Sequence, residues 1–328
     1  MSKPRIAVIG AGIAGLRLAQ LLSVRANVQL FDKSRGPGGR MSTRRAEEFR
    51  FDHGAQYFTA HGIAFQTFLR PFIADGTVER WTPRLASLGG EGKAPVWSAP
   101  RYVALPGMNG LCKAMAQGLQ VSLQNRIARI ERHPDGDWTL TNEQGGSCGR
   151  FDWVISTAPA EQSARLMPAI FSRKKVLDGA RMTACYSLML GGLDTTDLPW
   201  DAAVVQDSPI AWIAINSSKP GRSGAPSILC QSRNDWAEQH LEDAPEDVQA
   251  ALIGAFQDAT GLSPDDASHI SLHKWRFAKV EKAADEPFLL DAENRLAAAG
   301  DWCGAGRVEA AFDSATALGE HVLEFIIQ

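Results

Sequence analysis

The stretch RIAVIGAGIAGLRLAQLLSVRANVQLFD, residues 5–32, decides the fold. It begins with an apolar run that ends at Gly10, which is the pattern of a buried strand. Residues 13–23 then carry apolar side chains on one helical face, and a second apolar run ends at Asp32. The order of strand, glycine turn, helix and strand predicts one half of a parallel, doubly wound α/β sheet.

The glycine turn reads GAGIAG and fits the G-x-G-x-x-G spacing. Gly10 permits the tight turn, Gly12 lets the backbone approach a pyrophosphate, and Gly15 lets the helix pack against the strand. Ile13 and Ala14 open the helix, where free N–H groups and the helix dipole favour a phosphate. The pattern predicts a dinucleotide site, and a purely structural glycine turn is the alternative.

Asp32 stands at the end of the second strand, where a carboxylate accepts hydrogen bonds from ribose hydroxyls. An acid at this position disfavours a 2′-phosphate, so the pattern favours FAD or NAD over NADP. Lys33 follows it directly and joins the candidate cofactor-binding residues.

The segment SRGPGGRMSTRR, residues 34–45, is a basic turn in a chain of net charge -3. An extended nucleic-acid surface needs a basic domain, so the overall charge argues against a nucleic-acid partner. Gly39, with the glycine before it, allows an open backbone, and Arg40 is then placed to fork onto a phosphate oxygen. The alternative, a solvated surface loop, suits Arg44 and Arg45.

These features together resemble FAD enzymes of the amine-oxidase type. A late Gly300-Asp301 before a glycine-rich turn and a helix adds to the resemblance. It implies that Asp301 lies near the ribityl chain and pyrophosphate, and that the backbone near Val308 and Glu309 faces the pyrimidine edge of the flavin. Backbone groups around Ile127 would meet the adenine.

Five further segments are similar to the renalase family, and the resemblance covers the whole chain. They are DHGAQYFTA (52–60), PGMNGLCKAMAQGL (106–119), WVISTAPAEQSARLM (153–167), HKWRFA (273–278) and AGDWCGAGRVEAAFDS (299–314). The resemblance implies non-covalent FAD that accepts a hydride from 2- or 6-dihydroNAD(P). It implies O2 as the second substrate, and NAD(P)+ and hydrogen peroxide as products.

The chain is accordingly expected to be an α/β protein with two units. A Rossmann-like FAD-binding domain is predicted over residues 1–60, 96–160 and 291–328. An α+β substrate domain is predicted over residues 61–95 and 161–290, with an antiparallel sheet over the flavin.

Five residues are candidates to line the substrate site. Gln56 and Tyr57 are expected to approach the flavin or the nicotinamide, and Trp275 lies in a strand expected to end above the flavin. His240 and Arg276, together with Lys274, are candidates to bind the pyrophosphate of the donor. Core packing or ordinary surface charge is the alternative for each.

No catalytic residue is assigned, because the sequence shows no Ser/His/Asp array and a dihydronicotinamide needs no general base to release a hydride. We therefore expect flavin reduction to vary little between about pH 6 and 9. Two rival functions stay open, an amine oxidase or desaturase and a non-catalytic FAD-binding protein. With three tyrosines and no evident tyrosine pair, the amine-oxidase alternative is weakened.

The remaining patterns bound the setting of the protein. Five scattered cysteines without metal-ligand spacing predict reduced thiols, a cytoplasmic location and no metal. No segment is long and apolar enough to suggest a membrane span. The expected partners are small molecules, and no protein partner is evident.

Overall fold

A computed structural model describes residues 3–90, 96–222 and 224–327. The strands of the first large sheet, numbered in chain order, are β1 (Arg5–Ile9), β2 (Asn27–Phe31), β8 (Gln120–Ser122), β12 (Trp153–Ser156), β18 (Leu289–Asp291) and β19 (Leu296–Ala298). Their order in the sheet is β18-β19-β12-β1-β2-β8, and all neighbours are parallel except β18 and β19. Because β1 lies inside the sheet and is almost wholly buried, it forms the centre of this layer.

Two helices cover one face of this sheet, α1 (Ile13–Leu22) and α8 (Val308–Ile327). They approach closely, since a Cβ added to Gly319 would lie 2.7 Å from Cδ1 of Leu21. The helix α3 (Gly110–Met115) packs beside α1. The strand–helix–strand order predicted from residues 5–32 is therefore confirmed.

The other face is covered by a three-stranded antiparallel sheet. Its strands are β9 (Ile127–Arg132), β10 (Trp138–Asn142) and β11 (Ser147–Phe151). Phe151 meets Phe31 of the parallel sheet edge to face, with ring centroids 5.8 Å apart. Buried Trp138 and Leu140 extend this contact.

The second large sheet has the order β17-β13-β16-β15-β14-β6. Its strands are β6 (Leu85–Leu88), β13 (Arg181–Gly191), β14 (Ala202–Val205), β15 (Ile210–Ile215), β16 (Ser227–Ser232) and β17 (His269–Lys282). All neighbours are antiparallel except β6, which runs parallel to β14. The predicted antiparallel second sheet is confirmed.

The helices α6 (Asn234–Gln239) and α7 (Pro245–Thr260) cover one face of the second sheet. The helix α7 has a proline in its first turn and ends at Gly261, whose φ of 71° is left-handed. Val248, Leu252 and Phe256 are its buried face, so the helix is held by apolar packing.

Shorter elements connect the layers. They are the hairpin β3 (Arg44–Ala46) and β4 (Phe49–Phe51), the pair β5 (Val78–Arg80) and β7 (Tyr102–Ala104), and the helices α2 (Ile63–Ala74), α4 (Ala160–Leu166) and α5 (Lys174–Gly179).

The segment predicted as part of the substrate domain is residues 61–95, of which 91–95 lie outside the described residues, and residues 61–90 divide between the two layers. In α2, Phe65 and Phe68 stack on Phe312 of α8, with centroids 5.0 and 4.6 Å apart. Only β6 joins the second sheet. The apolar face of α2 therefore packs with the FAD-domain helix, and we propose moving the boundary after it.

The predicted fold class, a Rossmann-like α/β unit with a second antiparallel sheet, is confirmed. All five cysteines are free thiols. Among the helices that the structure describes, none combines the length and apolar character needed to span a bilayer.

Candidate active site

The glycine turn at the carboxyl end of β1 leaves no room for side chains at two positions. Gly10 has a φ of 110°, and a Cβ there would lie 2.6 Å from Oγ1 of Thr157. A Cβ on Gly15 would lie 1.9 Å from the carbonyl oxygen of Gly10. These contacts match the turn and packing roles predicted for the two glycines.

Gly12 differs, because the protein itself does not require a glycine there. A Cβ on Gly12 would meet no described atom closer than the Gly38 oxygen at 4.0 Å. Gly12 precedes Ile13 as the cap of α1, and no side chain bonds the exposed N–H groups of that first turn. The open space and free donors fit a phosphate that approaches the backbone closely.

The basic turn packs directly against the glycine turn, as predicted. The Gly38 N–H donates to the Ala11 oxygen at 2.9 Å. Gly39 has a φ of 53°, and its Cβ position would be 3.4 Å from the Cα of Gly12. Both turns therefore border the same space.

Asp32 is buried at the end of β2, with both oxygens already engaged. Oδ2 accepts from the Ala11 N–H and Oδ1 from the Ser34 N–H, each at 2.7 Å. Each carboxylate oxygen can accept a second bond, so the predicted ribose contact is compatible with this geometry.

Lys33 follows Asp32 at this edge. Burial, followed by the charge of Arg126, lowers the pKa of Lys33. The backbone N–H of Asn125 donates to the backbone oxygen of Asp32 at 2.9 Å. This bond brings the start of β9, at Ile127, to the same edge of the sheet.

Arg40 joins the two ends of the chain. Its Nη1 donates to Oδ2 of Asp301 at 2.7 Å and its Nη2 to Oδ1 at 2.5 Å. Nη1 also lies 3.3 Å from the Ala278 oxygen. The side chain keeps 29% of its surface exposed and has further N–H donors, so the predicted phosphate contact stays open to it.

The start of α8 lies beside Asp301 and carries the predicted Val308 and Glu309. The Glu309 carboxylate accepts from the backbone N–H groups of His61 at 3.0 Å and Gly62 at 2.5 Å. It thus holds the entry to α2. Burial raises the pKa of the nearby Cys303 thiol to about 12, which disfavours the thiolate that a covalent flavin link would need.

The segment 53–57 runs from this region to the second sheet. A Cβ on Gly54 would lie 2.0 Å from the Arg40 oxygen, so only glycine fits. Gln56 is buried and donates to the Asp52 oxygen at 2.5 Å. Its Oε1 accepts from Nζ of Lys219 at 3.1 Å.

A buried ionic cluster supports this segment, and sequence reasoning missed it. Asp52 accepts from Nη2 of Arg222 at 2.6 Å and lies 3.4 Å from Nζ of Lys219. All three side chains are at most 2% exposed. Burial raises the pKa of Asp52, but the two cations outweigh burial and bring it below its usual value. Burial lowers the pKa of Lys219 to about 8.

One face of the second sheet meets the segment 53–57. Directly paired residues form a row across all six strands, and paired residues share a face. The row is Ser87, Val204, Trp212, Gln231, Ser187 and His273. Gln231 donates to the Gly54 oxygen at 2.8 Å and Ser187 to the His53 oxygen at 2.7 Å.

Trp275 lies on this face, where it donates to the His53 oxygen at 2.6 Å and stacks on that imidazole at 5.1 Å. Burial, His273 and Arg44 lower the pKa of His53 to about 3. Burial and Arg44 lower the pKa of His273 to about 4. Both imidazoles are therefore neutral at pH 7 and add no positive charge to this face.

The structure does not bring His240 and Arg276 to this face. Lys274 pairs with Tyr186, the strand neighbour of Ser187, and adjacent residues point to opposite faces. Lys274 donates to the Leu241 oxygen at 2.7 Å. Arg276 pairs with Glu242 at 2.8 Å, and His240 with Asp243 at 2.6 Å. These three side chains therefore contact residues of the loop after α6 and not the face that meets the segment 53–57. Of the candidates for the substrate site, Gln56, Tyr57 and Trp275 remain at that segment.

Tyr57 enters an aromatic cluster with Trp81, Trp97 and Trp212. Its ring centroid lies 6.2, 5.0 and 6.0 Å from theirs. The Arg101 guanidinium lies over Trp97 at 4.7 Å and over Tyr57 at 5.3 Å. Nζ of Lys219 lies 5.3 Å from the centre of Trp81. We call these four rings and Arg101 the aromatic cluster.

A second sheet with an aromatic and polar face covers a Rossmann-type sheet with an open glycine turn. This combination is typical of a dinucleotide-dependent oxidoreductase. Residues 8–72 match the NAD(P)-binding Rossmann-like domain, and residues 88–322 match the flavin containing amine oxidoreductase model. The second match covers more than half of the chain. The chain belongs to the flavin containing amine oxidoreductase family.

Mouse (Mus musculus) renalase is 27% identical over 307 residues, covering 86% of this chain and 87% of renalase. The provisional protoporphyrinogen oxidase of Exiguobacterium sp. 255-15 has a similar structure. The TM-score is 0.77 at 12% identity, over 99% of this chain and 100% of that one. Putrescine oxidase bound to putrescine matches at a TM-score of 0.71 and 11% identity, over 98% and 99% of the two chains. At such identities these two structures show the shared fold alone.

The protein is thus a renalase-like, flavin-dependent oxidoreductase that binds FAD. The residues present fit that cofactor, because Gly12 leaves an open approach and the first turn of α1 offers free N–H groups. Asp32 and Arg40 border the same space from the neighbouring strand and turn.

Proposed function

We infer that this protein takes a hydride from 2- or 6-dihydroNAD(P) and passes the electrons to O2. The products are NAD(P)+ and hydrogen peroxide. Two findings support the proposal: the renalase-type segments along the chain and the similarity to mouse renalase over 86% of its length. The role is one of metabolite repair, in the cytoplasm.

The observation that carries the choice of donor is the charge on the aromatic cluster. Arg101 covers two of its rings and Lys219 lies over a third. A protonated amine needs free ring faces for cation–π contact and would here meet the like charge of Arg101. An anionic nucleotide is attracted by the same charge, whereas Lys219 is buried and paired with Asp52. The cluster therefore supports a nucleotide donor over an amine.

The chain's own residues bind, orient and shield in this proposal. Bound FAD supplies hydride acceptance and reoxidation by oxygen. Gly54 and Trp275 fix the segment 53–57 between Arg40 and the second sheet. The ring nitrogen of the donor expels the hydride as aromaticity returns, so no residue has to remove a proton. The neutral His53 and His273 are consistent with a site that needs no base.

Aerobic turnover with a panel of donors tests the proposal. The holoenzyme is mixed with 2-dihydroNAD, 6-dihydroNAD, ordinary NADH, putrescine and benzylamine, and both peroxide and the oxidised product are measured. We expect peroxide and NAD+ in equal amounts from the dihydro isomers, and at least about a hundredfold lower kcat/KM with NADH and the amines. Turnover of an amine as the best donor would establish the amine-oxidase alternative. No turnover with any donor would favour the non-catalytic one.

A further inference from the structure

The edge of the second sheet near Tyr57 holds buried polar atoms without partners. Among the described residues, these include Oγ of Ser87, Nε of Arg101 and Nε1 of Trp212. An unsatisfied buried polar group costs about 1–3 kcal/mol, and such groups are rare in native proteins. Three such atoms at one edge of a sheet leave hydrogen-bonding capacity that no described residue satisfies.

These atoms border the aromatic cluster. Trp212 is itself one of its rings, 6.4 Å from Trp97 and nearly parallel to it. Arg101 lies over the rings of Trp97 and Tyr57. Ser87 shares the cross-sheet row with Trp212 and lies two strands away, about 10 Å at normal strand spacing. The unpartnered donors thus belong to one local surface.

The chemistry of this surface is that of an anion site. Arg101 donates Nη1–H to the Ala99 oxygen at 2.6 Å and forms no ion pair with any residue the structure describes. The carboxylate of Asp52, which precedes the segment 53–57, is already paired with Lys219 and Arg222. A guanidinium held over ring faces still presents the N–H donors at its edge as a planar fork, the geometry that matches phosphate oxygens.

We propose that Arg101, assisted by the Trp212 Nε1–H, binds the phosphate on the nicotinamide side of the donor. The inference rests on the proposed function and deepens it by naming the group that is recognised. Tyr57 connects this phosphate site to Gln56 and Gly54, where the segment meets Arg40. A dihydronicotinamide nucleotide is then bound at its phosphate, and the neutral dihydronicotinamide riboside lacks that contact.

Two donors that differ only in the phosphate test this proposal. The holoenzyme and an Arg101→Gln variant are mixed anaerobically with a dihydronicotinamide mononucleotide and with the matching riboside. We expect the variant to lose about 10- to 100-fold in the second-order rate of flavin reduction by the mononucleotide, and less than about twofold with the riboside. Arg101→Lys should recover part of the loss, because it restores the charge but not the fork.

Arg84→Gln is the matched control, since Arg84 precedes β6 and its pair with Asp201 is surface-exposed. It should leave both rates unchanged. Trp212→Phe keeps the ring and removes only the N–H, and should lower the mononucleotide rate about 3- to 10-fold. This variant also serves if Arg101→Gln does not retain FAD.

The outcomes separate the two proposals. Equal losses on both donors would give Arg101 a structural role, and no loss on either would remove it from the site. Both results leave the dihydronicotinamide activity standing and overturn the phosphate assignment. Failure of the wild-type protein to accept electrons from both 2- and 6-dihydroNAD, run alongside, would overturn the proposed function, and the assignment with it.

Discussion

The glycine turn and the aromatic cluster are built on opposite principles. The turn consists of backbone from neighbouring residues, and an atom added to Gly15 would sit 1.9 Å from the Gly10 oxygen. The cluster consists of large side chains from four separate segments, at ring separations of 5.0 to 6.4 Å. At Gly10 and Gly15 the turn is fixed by sterics, whereas the cluster is held by many replaceable contacts.

This difference divides the work of the protein. In our proposal the turn holds a pyrophosphate, which is the same in every dinucleotide. The cluster lies on the face of the second sheet, and we propose that its side chains decide which donor is accepted. Changes at the turn should therefore remove the cofactor, whereas changes at the cluster should alter donor preference and leave the flavin in place.

The largest effect should come from Gly15→Ala. Its methyl group would overlap the Gly10 oxygen, so α1 would have to move away from β1. We expect loss of FAD from the purified protein, measured by flavin absorbance per chain. Gly254→Ala in α7 is the control, because its Cβ would meet no described atom within 4 Å. It should keep its FAD and gain about 1 kcal/mol of stability. A fully flavinated Gly15→Ala protein would contradict the comparison.

The next largest effect concerns the ionic cluster beneath the aromatic rings. Asp52→Asn leaves Lys219 and Arg222 buried without their counter-charge. We expect a loss of about 3–5 kcal/mol in the free energy of unfolding, measured by denaturant titration. The surface pair provides the control, because Asp201→Asn should cost about 0–1 kcal/mol. If both variants lose the same small amount, the buried cluster does not support the region.

Acid stability should follow the neutral imidazoles. The pKa of His53 is about 3 when folded, below the ordinary 6.5. As the pH falls below 6.5, the unfolded chain binds a proton that the folded chain excludes, so stability falls. Between pH 6.5 and 4.5 we expect His53 to account for roughly 2–3 kcal/mol of this loss.

His53→Phe keeps a ring beside Trp275 and removes the titration, so the acid-induced loss should shrink by that amount. His321→Phe, at an exposed position, is the control and should follow the wild-type curve. Unfolding free energies at several pH values measure the difference. Identical slopes for wild type and His53→Phe would refute the assignment.

The smallest effect should appear in donor affinity above pH 8. The pKa of Lys219 is about 8, so its charge beside Trp81 is lost as the pH rises through that value. We expect the dissociation constant of an anionic donor to rise by a factor of about three, while the reduction rate at saturation stays flat from pH 6 to 9. A riboside donor should show neither change, and a steep pH dependence of the saturated rate would instead require a catalytic base.

The sequence predicts the glycine turn well because its chemistry lies in adjacent residues. Gly10, Gly12, Gly15 and Asp32 have fixed spacings, and the structure places them around one space. The aromatic cluster and the ionic cluster have no such signal. Asp52 and Lys219 are 167 residues apart, and only the fold of the second sheet brings them together.

The candidates near Trp275 show a second limit of reasoning from the sequence. Trp275 faces the segment 53–57, whereas its neighbours Lys274 and Arg276 contact the loop after α6. A strand alternates its faces, so one motif read as a unit assigns half of its residues to the wrong side. The pairing of β13 with β17 also shifts between Thr183 and Cys185, which the sequence pattern does not reveal.

A single anaerobic mixing experiment tests the central claim most directly. The oxidised holoenzyme is mixed in separate runs with 2-dihydroNAD, 6-dihydroNAD and putrescine, and the flavin absorbance is followed without oxygen. The charge on the aromatic cluster predicts rapid bleaching by at least one dihydro isomer and none by the amine. Bleaching by putrescine, with no response to either dihydro isomer, would contradict the account.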